Sequence, residues 1–391
     1  MTIEGRREEH HPGRIRLGMV GGGKGAFIGA VHRIAARIDD QFELVAGALS
    51  SDPERAKASA LEIGLAANRA YGSYEEMAKA EAARPDGIEA VSIVTPNHMH
   101  APVARAFLEA GIHVICDKPM TTTVADAQAL VDLVARTGAV FCLTHNYTGY
   151  PMVRQARAMV VAGELGAIRV VQAEYPQDWL TTRAELAGSK QAEWRTDPQR
   201  SGAGGSIGDL GTHAYNLAAF VTGLETDQLL AQLSTFVAGR QLDDDVQILL
   251  RYKGGARGML WASQVAVGNE NGLKFRVYGT DAGLEWSQAD PNYLWFTRFG
   301  EPKQLLTRGG AAVRPEAGRV TRVPSGHPEG YLEGFATIYT EAARAIRTVR
   351  EGRKPDSEVL YPTVRDGLAG MQFIDAAVRS SANGNVWTKI A

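Results

Sequence analysis

An aspartate and a histidine, Asp209 and His213, stand four positions apart in GGSIGDLGTHAYNLAAF (residues 204–220), behind a run of glycines. On a helix of 3.6 residues per turn Asp209, His213 and Asn216 share one stripe, while Leu210, Leu217 and Ala218 lie towards another. An imidazole beside a carboxylate suits proton transfer, because an unperturbed histidine titrates at about pH 6.5. The competing reading is structural: Ser206 and Asp209 match the S-x-x-D spacing of a capping box, worth about 1 kcal/mol to a helix start. A second candidate is Lys118, which ends the apolar run VICDKP before Pro119. Its ammonium could hold charge developing on a substrate oxygen. A lysine at a strand end is also an ordinary solvated charge.

The elements that must position these groups follow from periodicity. In the first third, RIRLGMVGG, FELVAGAL, IEAVSIVTP, HVICDKP and AVFCLTHN are short Val- and Ile-rich runs that read as buried strands. DPERAKASALEIG, HAPVARAFLEAG and TVADAQALVDLVARTG between them carry helical spacing, the first with Asp52 as N-cap and Pro53 at N1. This alternation predicts an α/β doubly wound parallel sheet over residues 14–146. From residue 147 to 391 a helix leads into AIRVVQAEYPQ, LLAQLSTFV, DVQILLRYK, ARGMLWASQVAV and GLKFRVYGT, strands without intervening helices. They predict an α+β second domain with a large, mostly antiparallel sheet. Two late helices close the chain and could pack back on the first domain. Residues 1–13, with His10 and His11, read as a flexible polar leader.

GMVGGGKGAFIGAVHR joins the first strand to a helix, the context in which glycines let a backbone approach a pyrophosphate. Gly21 and Gly23 serve as the first pair and Gly29 as the third, with Lys24, Gly25, Phe27 and Ile28 completing the expected cofactor loop. Past the second strand, Ser50, Ser51 and Arg55 are expected near the ribose, with Asp52 either a cap or the acid that favours NAD. NAD is preferred and NADP stays possible. TPNHMH (95–100) ends the third strand at the same edge, so Thr95, Pro96, Asn97 and His100 are candidates beside the nicotinamide, as are Asp117 and Lys118. His98 and His100 read equally as helix-entry residues.

A chain of 391 residues with 42 Lys+Arg against 44 Asp+Glu has no basic excess for nucleic acid or an anionic membrane. No apolar stretch of about 18 residues occurs, and the start lacks a signal-peptide core, so a cytoplasmic protein with a small-molecule ligand is expected. Cys116 and Cys142 lie in strand-like runs without metal-ligand spacing and read as buried thiols. Asp243, Asp244 and Asp245 read as a solvated strand start, and no metal is expected. Trp179, Trp194, Trp261 and Trp286 are dispersed, as packing residues would be.

The glycine loop, CDKP and EWRTDPQRSGAGGSIGDLGTHAYNL together resemble the Gfo/Idh/MocA family, in order and spacing from Arg14 nearly to the end. The resemblance implies an N-terminal Rossmann domain, a C-terminal α/β domain with an open sheet, and a homo-oligomer, dimer or tetramer, built through that sheet. It implies a catalytic triad of Lys118, Asp209 and His213, and a place near the active site for Trp194 and Arg195. The activity implied is hydride transfer between a nicotinamide cofactor and a secondary alcohol of a sugar, cyclitol or related polyol. Relatives that cleave glycosides through transient oxidation, or that sense dinucleotide without catalysis, supply the alternatives. Two departures stand out: Asp117 replaces the usual glutamate before the lysine, and three extra residues separate Gly23 from Gly29. His145, Asn146 and Tyr147 of HNYTGYP fall where the chain passes between domains, either lining the cleft for substrate or ending a strand. His327 in SGHPEG reads as cleft or loop.

Overall fold

The computed structural model describes residues 13–390; the leader histidines lie outside the described residues. Up to residue 149 the elements are β1 (Ile15–Gly21), α1 (Phe27–Ile38), β2 (Phe42–Ala48), α2 (Pro53–Glu62), α3 (Tyr74–Ala82), β3 (Ala90–Val94), α4 (His100–Glu109), β4 (His113–Cys116), α5 (Val124–Thr137) and β5 (Phe141–Leu143). Then come α6 (Pro151–Val161), β6 (Ile168–Pro176), the short α7 (Lys190–Arg195) and α8 (Pro198–Ser201), α9 (Thr212–Thr222) and β7 (Thr226–Ser234). They are followed by β8 (Asp245–Tyr252), β9 (Arg257–Ser263), β10 (Lys274–Gly279), β11 (Ala282–Ser287), β12 (Tyr293–Arg298) and β13 (Gln304–Thr307). The chain closes with α10 (Pro315–Gly318), α11 (Tyr331–Arg350), α12 (Val364–Ala382) and β14 (Thr388–Lys389).

These form two compact units. The first holds the chain up to Thr121, Ala125–Gly149 and Tyr331–Leu368; the second holds Thr122–Val124, Tyr150–Gly330 and the rest from Ala369. Tyr331–Leu368, which a boundary at residue 147 assigns to the C-terminal domain, therefore belongs to the first unit.

In the first unit a five-stranded sheet runs β2-β1-β3-β4-β5 with every pair parallel. β3 is buried along its whole length, as an apolar run covered on both faces requires. Helix α11 lays Phe335, Ile338, Tyr339 and Ile346 into the same core as Leu17, Val31 and Phe42. The buried Tyr339 hydroxyl lies 2.9 Å from both Ser92 Oγ and His32 Nδ1. Burial holds His32 down at about pH 4, so its ring is neutral in this apolar setting. Helix α3 has no counterpart among the helices read from the sequence. Its signal is Ser73, whose side chain accepts the Glu76 N–H at the helix start.

The second unit carries a nine-stranded sheet, β13-β12-β11-β10-β6-β9-β8-β7-β14, antiparallel except where β6 pairs with β9. Helices α6 and α9 pack on one face. Alternation on β8 buries Val246, Ile248 and Leu250 towards it, and β12 does the same with Leu294 and Phe296. The opposite face exposes large apolar side chains in cross-strand pairs: Leu249 beside Met259, and Trp295 beside Leu305. Among the described residues no helix is long and apolar enough to cross a membrane.

Candidate functional site

In the first unit strand order reverses between β1 and β3, which opens a crevice at their carboxyl ends. The glycine loop leaves β1 there. Gly22 and Gly29 touch back to back, and a Cβ on Gly29 would lie 2.3 Å from the Gly22 carbonyl oxygen. Gly22 also has φ +72°, a conformation that side chains rarely adopt. The three extra residues are spent tying the loop down. The Gly23 N–H donates to Leu49 O (3.1 Å), the Lys24 N–H to Ser59 Oγ (3.4 Å) and the Ala26 N–H to Gly23 O (3.0 Å). The amides of Gly23 and Lys24 are thus engaged within the loop.

What stays open is the start of α1. Its N-cap is Ala26, which makes no side-chain cap, and its first turn holds no acid. The first amides of a helix have no intrahelical partner, so those of Phe27, Ile28 and Gly29 form an anion-binding terminus. A dinucleotide pyrophosphate fits this cradle of glycines and uncapped amides.

At the end of β2, Asp52 Oδ1 accepts the Arg55 N–H (2.8 Å) and caps α2, while the Asp52 N–H donates to Ser50 Oγ (3.2 Å). Asp52 thus caps α2, and Ser51 and Arg55 are exposed. At the end of β3, Thr95 Oγ1 and His98 Nδ1 are buried without a hydrogen-bond partner, and Asn97 is buried. His100, expected beside the nicotinamide, turns inward instead. Its Nδ1 faces Pro119 O at 2.7 Å and its Nε2 faces Thr95 O at 2.9 Å, so it joins two strand ends rather than a ligand. Burial lowers its pKa, and a neutral ring donates to one of the two carbonyls.

Strand β4 delivers Asp117 and Lys118. The shortened Asp117 carboxylate folds back: Oδ1 accepts the Lys118 N–H (2.8 Å) and the Thr144 hydroxyl (3.1 Å). Lys118 is half-buried, and His145, Asn146 and Tyr147 follow β5 as buried residues. Burial, with the Lys118 charge adding to it, holds His145 down at about pH 3 and its ring neutral. Asn146 Nδ2 is buried without a partner, an unspent donor beside these groups in sequence.

In the second unit, residues 207–211 form one π-helical turn that runs directly into α9. Such turns are rare and recur at functional sites. The capping box does not form: Ser206 Oγ is buried without a partner. Asp209 turns instead to side chains from elsewhere. Its Oδ2 accepts from Gln264 Nε2 (3.1 Å) and lies 3.3 Å from Arg195 Nε. The Arg195 guanidinium lies over Trp194, 4.1 Å from the ring centroid, and 5.8 Å from the Trp179 ring centroid, two cation–π contacts on the cation that faces Asp209. His213, buried, meets the Tyr175 ring edge-on at 5.9 Å. This cluster pairs a carboxylate with a fixed cation next to a histidine one turn along the same helix, a polar group set suited to moving one proton.

Gln264, Tyr175 and Trp179 carry no sequence signal for this site. The Asp243–Asp245 run was expected in solvent, and the structure overturns that: all three are buried. Asp243 takes the amides of Gly205 (2.7 Å) and Ile207 (2.8 Å), Asp244 those of Phe236 and Val237, and Asp245 the Trp261 indole N–H. Burial pushes the Asp243 carboxyl up to about 6. His327 is exposed, and its carbonyl accepts from Arg308 within a clasp that includes Glu329 and Asn292.

The model of an oxidoreductase family with an NAD-binding Rossmann fold matches residues 15–147, and the model of the GFO/IDH/MocA C-terminal domain matches residues 153–285. The chain belongs to the Gfo/Idh/MocA oxidoreductase family. As a Gfo/Idh/MocA protein it is an NAD-binding enzyme, a nicotinamide-dependent dehydrogenase. It is 36% identical over 393 residues to the uncharacterized oxidoreductase YfiI of Bacillus subtilis (strain 168), covering 100% of both chains. To the levoglucosan dehydrogenase of Pseudarthrobacter phenanthrenivorans it is 29% identical, over 96% of this chain and 98% of that one. Among solved structures, an oxidoreductase from Sinorhizobium meliloti is 59% identical with a TM-score of 0.87, covering 96% of this chain and 99% of that one. An inositol dehydrogenase homolog from Azotobacter vinelandii, complexed with NAD+, is 37% identical with a TM-score of 0.93, covering 97% and 98%. The first family match spans the glycine loop, and the second spans Arg195, Asp209, His213 and Gln264.

Because Ser50 lies two residues past β2 with its hydroxyl accepting the Asp52 N–H, Ser50→Asp tests where the ribose lies. A second carboxylate there is expected to lower kcat/KM with NADP about tenfold relative to NAD, since like charges near a surface repel by on the order of 1 kcal/mol or more. Steady-state kinetics with both cofactors decide it; an unchanged ratio puts the 2'-phosphate elsewhere.

Proposed function

We propose that the enzyme oxidises a secondary alcohol of a sugar, cyclitol or related polyol. The observation that carries this reading is the Asp209 cluster. A carboxylate held by Arg195 and Gln264 on a π-turn, with His213 next along the helix, suits an alcohol proton better than a carboxylate or phosphate substrate. His213 accepts the hydroxyl proton. Asp209 sets the field and orientation of that imidazole, and Lys118 holds charge forming on the substrate oxygen. His145, kept neutral, adds a hydrogen-bonding group rather than a second positive charge beside Lys118. Trp194 and Arg195 bind the polyol, and Asn146 and Tyr147 contribute from the end of β5. When bound, the nicotinamide supplies the hydride acceptor. The names of the levoglucosan dehydrogenase and the inositol dehydrogenase homolog support a polyhydroxylated substrate. Absorbance at 340 nm across a panel of inositols, anhydrosugars and aldoses, with NAD and NADP separately, tests the reading; a chain that reduces neither cofactor with any polyol fails it.

The same reading includes a homo-oligomer joined through the open face of the nine-stranded sheet. Its support is the exposed apolar pairing of Leu249 with Met259 and of Trp295 with Leu305, more than a solvated face needs. Trp295→Glu is expected to release the protomer, as read by light scattering coupled to gel filtration. A variant with the wild-type mass refutes this placement.

A further inference from the structure

Three consecutive amides at the start of the helical segment that bears Asp209 and His213 end on one residue from a distant loop. Asp243 Oδ1 accepts the Gly205 N–H (2.7 Å), its carbonyl accepts the Ser206 N–H (2.9 Å), and Oδ2 accepts the Ile207 N–H (2.8 Å). We infer that Asp243 is a positioning residue for the proposed proton-transfer pair, fixing from outside the helix the backbone that presents Asp209 and His213. The inference rests on the reading of His213 as the proton acceptor.

The physical case has three parts. First, a helix start leaves amides that must find acceptors, and the residue in sequence to supply one, Ser206, does not: its hydroxyl is buried without a partner. An anion at this end also meets the positive end of the helix dipole. Second, the fit admits no slack. A Cβ on Gly205 would lie 2.1 Å from the Asp243 carbonyl oxygen, so only glycine lets the two backbones meet. Third, the neighbouring residue extends the hold to the reacting side chain. The Asp244 carbonyl accepts the Gln264 N–H (2.8 Å), and the Gln264 side chain donates to Asp209 Oδ2 (3.1 Å). One short loop thus anchors the start of the π-turn and, through Gln264, the carboxylate that the turn carries. Burying a carboxylate is costly, as the raised Asp243 titration shows, and here that cost is set against the two amides that bond its oxygens, those of Gly205 and Ile207. Asp245 gives the contrast within the same run: its carboxylate accepts from the Trp261 indole N–H rather than from an amide of the helix start.

The test compares Asp243→Asn, Asp245→Asn and His213→Ala in the full-length enzyme, measuring kcat, polyol KM and NADH affinity by fluorescence titration. Asparagine keeps the volume of Asp243 but turns an NH2 group towards one amide donor. Asp243→Asn is expected to lose about 100-fold in kcat, the size of loss that a small misplacement of catalytic groups causes. NADH affinity is expected to stay at the wild-type value, because the cofactor cradle is built from other residues. Asp245→Asn is expected to match wild type in kcat. A wild-type kcat for Asp243→Asn beside an inactive His213→Ala overturns the inference alone, and an active His213→Ala overturns the reading beneath it. Equal losses in Asp243→Asn and Asp245→Asn also overturn the inference. Should Asp243→Asn not fold, amide hydrogen exchange in the wild-type enzyme decides. Exchange at Gly205 and Ile207 as slow as in the middle of α9 supports the clasp, and exchange at the rate of an exposed loop refutes it.

Discussion

His213→Ala is expected to lower kcat on the true polyol by about 10²- to 10⁴-fold, the range that a positioned general base contributes. NADH binding in the same variant is expected to be unchanged, since His213 lies in the helix after the π-turn and the cofactor cradle is built around Gly22 and α1. Asp209→Asn should follow it in direction. Asparagine caps helices well, so an aspartate that only capped would tolerate the change. Here the capping role is taken by Asp243, and Asp209 faces Arg195 and Gln264. The substitution removes the charge that Arg195 balances. Stopped-flow absorbance under single-turnover conditions separates the chemical step from product release. A His213→Ala enzyme with a wild-type chemical rate would leave a dinucleotide-binding fold without this mechanism.

Gly29→Ala is expected to weaken NADH binding by about one to two orders of magnitude, because overpacking of this kind costs about 1–3 kcal/mol. The new methyl group would lie 2.3 Å from Gly22 O and 2.4 Å from Gly22 Cα, both backbone atoms. The loop must therefore move off α1, and the uncapped amides move with it. Gly25→Ala is the useful companion, since a Cβ there has nothing within 4 Å and meets only the strain of a φ of +81°. Fluorescence titration with NADH reads both. Equal, wild-type affinities would show that the pyrophosphate does not use this turn.

The parallel sheet was legible because its strands are buried on both faces, which leaves runs without polar alternation such as AVSIV in β3, where Ser92 alone interrupts the apolar residues. The open sheet was legible as strands without helices between them. Helix α3 was not, because YEEMAKAEA buries only Met77, Ala78 and Glu81 and shows a weak stripe. Residue type and spacing made Asp209, His213 and Lys118 candidates, but gave no sign of what surrounds Asp209. Gln264 reaches Asp209 across 55 positions, and Asp243 reaches Gly205 across 38. The run of three aspartates reads as solvated because the partners of Asp243 and Asp244 are backbone amides, which no residue type announces, and the partner of Asp245 is an indole 16 positions away. His100 lies on the expected strand edge, yet its two acceptors are carbonyls, equally silent in a sequence. Ser206 has the capping-box spacing, but the turn that follows is π-helical and another residue takes the amides.

The membership of Tyr331–Leu368 in the first unit has a consequence for how the protein is made. A ribosome delivers the glycine loop and the five parallel strands long before it delivers α11, whose Phe335, Tyr339 and Ile346 sit among Leu17, Val31 and Phe42. Until some two hundred further residues have been translated, that patch of the nascent Rossmann sheet faces water or a chaperone. Domains commonly complete themselves in order from the N-terminus during synthesis. This one cannot, and a fragment ending near residue 150 would expose the apolar surface that α11 covers, which makes it a substrate for aggregation and proteolysis rather than a miniature cofactor-binding protein.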